Sequence, residues 1–162
     1  MDGESSTTPK VGLSAVRTIL IGGLVAGVLD ITAACVVSYL RRGLKPADVM
    51  HAVASGLLGA KSFEGGNRTA IVGLALHFLI AFTWCVIYYV ASRKLSFLLR
   101  YAVVSGLLYG VVVFFFMNLV VLPLSAVTFK VSFATVPLMI GMSTIMLCIG
   151  LPIALIVKKC SS

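Results

Sequence analysis

Asp30 lies inside a long apolar run, between Leu29 and Ile31, and His77 lies inside another, between Leu76 and Phe78. A central aspartate in a membrane costs at least ~2.5–3.5 kcal/mol, so such a residue marks a candidate proton or ion site. An imidazole beside it can pair with it, exchange a proton with it, or hold a metal. Asn118, late in a third run, adds an amide that both donates and accepts hydrogen bonds. Several uses fit this set. Asp30 and His77 could pair and lock two helices together. Asp30 could serve a proton- or cation-coupled pathway that His77 modulates, or the three could line a ligand- or lipid-binding cavity. Metal or haem ligation would need His77, His51 and a carboxylate together. No HExxH or comparable ligand spacing is present, so neither a metal nor a cofactor is expected. GxSxG and a phosphate-binding glycine loop are likewise missing, so no enzymatic activity is expected.

The elements that must carry these residues follow from composition. Of 162 residues, 60% are hydrophobic and 11% charged, against about 45–50% and about 25% in soluble domains. This excludes a soluble globular domain, a disordered chain and a nucleic-acid binder. The net charge of +8 sits at the borders of the apolar runs, in Arg41-Arg42, Arg93-Lys94 and Lys158-Lys159, where membrane helices meet headgroups. Cys35, Cys85 and Cys148 lie inside the runs without paired spacing and read as small hydrophobes.

One span needs about 20 apolar residues. The pattern predicts an all-α membrane protein: a four-transmembrane-helix bundle with a short amphipathic helix in the first loop. A polar tail over residues 1–13 precedes a transmembrane domain over 14–159. The spans fall at about 14–40, 69–92, 100–122 and 133–157. Residues 46–62 are too few to cross. Asp48, His51, Ser55, Gly59 and Ser62 form one stripe at helical spacing, away from Val49, Val53, Leu57 and Leu58. This predicts an amphipathic helix at the interface or tucked over the bundle. Tyr39, Tyr88, Tyr89 and Tyr101 stand near span ends, as an interfacial aromatic belt would.

With ideal helices, Asp30 and His77 both lie three residues from their span midpoints, ~4–5 Å towards the first loop. Asn118 is displaced to the same side. His51 and Glu64 belong there too and are candidates to cap a cavity. Small residues mark faces where membrane helices meet. Gly23, Gly27, Gly73, Gly106, Gly110 and Gly141 are the candidate packing glycines, and they turn Asp30, His77 and Asn118 inward. Gly23 to Gly27 and Gly106 to Gly110 also form a weak internal echo, as two tandem hairpins would. Trp84 and Phe114-Phe115-Phe116 read as lipid-facing or packing residues. Pro123, Pro137 and Pro152 are candidates to kink or end helices.

Lys and Arg divide seven to six between the two sides, so topology is not biased. That near-tie suits an antiparallel homodimer, and the short loops suit a subunit of a larger membrane complex. The lipid bilayer is the expected partner, and no nucleic acid is.

Several strings carry a resemblance: Ala26-Gly27-Val28-Leu29-Asp30, Ala54-Ser55-Gly56-Leu57-Leu58-Gly59, Gly73-Leu74-Ala75-Leu76-His77-Phe78, and Met117-Asn118-Leu119-Val120-Val121-Leu122-Pro123-Leu124-Ser125. Over roughly residues 17–157 the chain resembles a group of small uncharacterised bacterial inner-membrane proteins with four predicted spans. The resemblance implies a bacterial inner membrane. It implies no activity and no site, because the group has no established one.

Overall fold

The computed structural model describes residues 11–127 and 135–161. Residues 1–10 of the expected tail, Lys130, and the expected start of the fourth span at 133 lie outside them. All the regular elements among the described residues are helical: α1 (Val11–Arg42), α2 (Pro46–Leu58), a 3-10 turn (Gly59–Phe63), α3 (Gly66–Lys94), α4 (Phe97–Arg100), α5 (Ala102–Phe116), a π-helical turn (Met117–Val121), α6 (Leu122–Leu124), α7 (Thr135–Ile145), a second π-helical turn (Met146–Gly150) and α8 (Leu151–Ser161). Four stretches are long and apolar enough to cross a membrane: Ser14–Arg42, Gly66–Lys94, Ala102–Leu124 and Val136–Ser161. The fold is all-α, with the architecture of a multi-pass membrane protein.

Local chemistry sets the element ends. Gly43 adopts φ 67° and its N–H bonds the Tyr39 carbonyl at 2.8 Å, closing α1 with a left-handed cap. Pro46 occupies the first turn of α2, where its missing N–H costs nothing, and the Asp48 carboxylate accepts from the Lys45 N–H at 2.8 Å. The amphipathic helix is shorter than the 46–62 expected. Gly59 takes φ 62°, which ends the α-helix and leaves a 3-10 turn over the remainder.

Both π-helical turns stand directly before a Leu-Pro pair, Leu122-Pro123 and Leu151-Pro152. A proline inside a helix lacks an N–H, and its ring collides with the carbonyl four residues back. Those carbonyls belong to Leu119 and Cys148, each inside a π turn. Widening the helix there lets it run on through the proline. The repeated pattern Met-x4-Leu-Pro, at 117–123 and 146–152, is the sequence signal for this pair.

Glycines decide which spans approach closely. α1 packs on α3 on one side and on the fourth span on the other. A Cβ at Gly27 would meet the Phe78 ring at 2.8 Å, and one at Gly23 would overlap the Phe82 ring. α5 packs against the second π turn and α8. There a Cβ at Gly106 would lie 2.9 Å from the Gly150 carbonyl oxygen, and one at Gly110 would press on the Met146 backbone. Gly141 faces the Phe114 ring, at 3.2 Å from a built Cβ. Each glycine pair thus seats a different hairpin: Gly23 and Gly27 the first, Gly106 and Gly110 the second.

α3 and α5 meet through large side chains instead. Tyr109 packs edge-on to Tyr88 at 4.9 Å and to Trp84 at 6.0 Å between ring centroids. Trp84 also meets Phe116 at 5.4 Å. Tyr88 is 1% exposed, so it belongs to the core and not to an interfacial belt. Tyr39 and Tyr101 are exposed near span ends, in the belt position.

α2 lies along α3 over the bundle. Gly73 makes this contact, because a Cβ there would collide with the Met50 carbonyl. The orientation of α2 reverses part of the amphipathic expectation. Ser55 and Ser62 are fully buried, while Leu57 is 64% exposed. The small polar residues fit the close contact with α3, and the leucines turn outward as lipid-facing side chains do.

Candidate functional site

Where the aromatic-lined faces keep the helices apart, on the α2 side of the bundle, a cavity of about 350 Å³ remains. Asp30 enters it from α1 and His77 from α3. Ile80, Ala81 and Trp84 line it on the same face of α3, at three, four and seven residues beyond His77. Val113 of α5 and Met117 and Val121 of the first π turn form another wall, and Ile145 and Ile149 a further one. Both π turns therefore contribute to the lining, and such irregular turns recur at functional sites.

α2 covers the cavity with Val49, Ala52, Val53 and Gly56. Its seat is fastened at three points. Its backbone rests on Gly73. The Ala126 N–H donates to the Gly56 carbonyl at 2.9 Å, tying in the chain after the third span. His51 Nε2 donates to the Gly66 carbonyl at 3.0 Å, and its ring meets Phe63 edge-on.

The His77 ring is held by a long-range bond. Its Nε2 lies 2.9 Å from the Gly27 carbonyl oxygen in α1. A carbonyl only accepts, so Nε2 carries the proton. Gly27 lacks a side chain, which lets α3 come close enough for this contact. Asp30 lies one turn further along α1 and within electrostatic reach of His77, but the two form no ion pair within 4 Å. The first hairpin is thus tied by imidazole to backbone carbonyl, and the carboxylate stays free of that bond.

The other residues singled out by sequence are placed apart from this pair. Asn118 Nδ2 donates to the Phe114 carbonyl of its own helix at 2.8 Å, and Asn118 does not line the cavity. A half-buried amide satisfied within its own helix makes no demand on its neighbours. His51 and Glu64 do not line the cavity either; it is the apolar face of α2 that covers it. Glu64 is exposed in the turn after the 3-10 segment. Trp84 is the residue that sequence reading undervalued. Its spacing of seven from His77 puts both on one helix face and is the signal that identifies it.

Among the described residues, no group of three or more His, Cys, Asp and Glu side chains comes together as a metal site. The chemistry available is one carboxyl group and one imidazole in a hydrocarbon-walled space. Among the described residues, Ser125 is the one further hydroxyl in the lining, and it already donates to the Leu122 carbonyl at 2.7 Å. Comparison of the chain with protein-family models, curated proteins and solved structures gives no match.

Proposed function

We propose that this chain is a small non-enzymatic transporter of the bacterial inner membrane, with Asp30 as the titratable group of its binding cavity. The observation that carries the reading is the placement of Asp30. It faces a cavity inside the bundle, while His77, its nearest basic neighbour, is bonded to a backbone carbonyl. An ionisable group set in an apolar lining without a fixed partner is costly. A transporter uses such a group by exchanging a proton for a cation.

The cover of the cavity suits this role. α2 is flanked by Gly43 and Gly59, at φ 67° and 62°, which are positions able to absorb backbone rotation. The assignment to the bacterial inner membrane rests only on the resemblance of the strings around Asp30, Gly73–Phe78 and Met117–Ser125.

The test is proton flux in proteoliposomes loaded with a pH-sensitive dye. Sodium, potassium or small alkylammonium ions are added outside. Cation-driven release of luminal protons is expected for the wild type, and a drop of at least tenfold for Asp30→Asn. Equal flux in the two proteins would remove Asp30 from the mechanism.

A further inference from the structure

The class of cation can be narrowed from the walls of the cavity, an inference that rests on the transporter reading above. Among the described residues, Asp30 is the one acidic side chain in the lining, and every Lys and Arg among them is exposed and lines none of it. Apart from the His77 imidazole, whose Nε2 is already bonded to the Gly27 carbonyl, charge compensation for the carboxylate therefore comes from a proton or from a ligand. Small inorganic cations are poorly served here. Calcium takes 6–8 oxygen ligands, and magnesium holds its waters tightly. Among the described residues, this cavity offers one carboxylate, an imidazole whose Nε2 is already bonded to the Gly27 carbonyl, a committed serine hydroxyl and hydrocarbon.

An organic cation loses far less. Ile31, Val53, Val113, Val121 and Ile149 supply apolar contact for its body. Trp84 adds an aromatic wall for the hydrocarbon part. At ~30 Å³ per water-sized group, a cavity of about 350 Å³ holds about a dozen heavy atoms. We propose that the Asp30 cavity binds an apolar organic monocation of about that size, its ammonium group directed to Asp30 and its hydrocarbon to the α2, α5 and π-turn walls.

The chain reports on this directly, because Trp84 is its single tryptophan and lines the cavity. The full chain in detergent is titrated with benzyltrimethylammonium, with the neutral N,N-dimethylbenzamide and with the anion phenylacetate, following tryptophan emission. A saturable change is expected with the cation, at least tenfold weaker responses with the other two, and an at least tenfold loss of cation affinity in Asp30→Asn. Asp30→Glu keeps the charge and is expected to bind within a few-fold of wild type. Amide and cation binding equally well, or cation affinity unchanged in Asp30→Asn, would overturn the proposal. If Asp30→Asn does not fold, the cation-to-amide ratio on the wild type decides. The two readings fail separately. Cation binding without any cation-driven proton flux keeps the ligand class and rejects transport. Flux driven by sodium or potassium but not by benzyltrimethylammonium keeps transport and rejects the ligand class.

Discussion

At the α4 end of the bundle, the Tyr88 hydroxyl lies 2.9 Å from the Ser105 hydroxyl, and Ser105 donates to the Leu98 carbonyl at 2.8 Å. Tyr109 donates to the Trp84 carbonyl at 2.7 Å. At the α2 end, Asp30 faces a cavity and His77 is bonded to the backbone of α1. Both ends place polar groups against α3, facing α5 at the first and α1 at the second. At the first, neutral hydroxyls on large side chains fill the gap between α3 and α5 and satisfy one another. At the second, the bulk is missing, a cavity remains, and a carboxyl group faces it. Satisfied hydroxyls give a rigid joint, and an ionisable group beside open volume gives a site. The difference separates the part of the bundle that holds its shape from the part that can exchange a ligand.

Four measurements test this contrast. The largest effect on stability is expected from Gly73→Ala, because the new Cβ meets the α2 backbone and not a pliable side chain. Overpacking of this kind costs about 1–3 kcal/mol. Thermal unfolding in detergent should show the loss, together with increased solvent quenching of Trp84 as α2 shifts. A small effect on both readouts would mean that α2 is not seated as described.

Next comes the pH dependence of cation binding. Benzyltrimethylammonium carries a fixed charge, so any pH effect belongs to the cavity. The groups facing Asp30 are His77 on α3 and Cys148 in the second π turn; α2 and α5 bring no titratable side chain to the lining. Protonating Asp30 removes the attraction, so affinity should fall as pH falls, with a loss of tenfold or more between the two limits. A pH-independent affinity would take Asp30 out of binding.

A smaller effect is expected from Ser105→Ala at the α4 end. Interhelical hydrogen bonds in membrane proteins average about 0.6 kcal/mol and reach about 1.7. Tyr88 keeps its 3.3 Å bond to the Leu98 carbonyl, so the cost should lie within that range, with ligand binding unchanged. Altered binding would couple the two ends. The smallest effect is expected from Asn118→Leu. Its amide bonds only its own helix, so stability should change by no more than about 0.5 kcal/mol and binding not at all. A loss of binding there would return Asn118 to the site.

Much of the architecture is legible in the order of residues. Hydropathy accumulates along the chain irrespective of partners, so the apolar runs identify four helices long enough to cross a membrane. Helical rise then places Asp30 and His77 at one level, and the structure brings both to one cavity. The Met-x4-Leu-Pro repeat is equally local, since a proline acts on its own helix.

What the tertiary structure decided is rotation and partner choice. Whether Ser55 or Leu57 of α2 faces the bundle depends on Gly73 of another helix, which admits a backbone and leaves no room for leucine. Whether His77 meets the Asp30 carboxylate or the Gly27 carbonyl is settled by a few ångströms of approach between α1 and α3. Tyr88 stands near a helix end like Tyr39, yet it is core because Ser105 and Leu98 lie opposite. The cavity itself is the clearest case. No residue encodes it: it is the volume left where glycine faces draw some helices together and aromatic faces hold others apart.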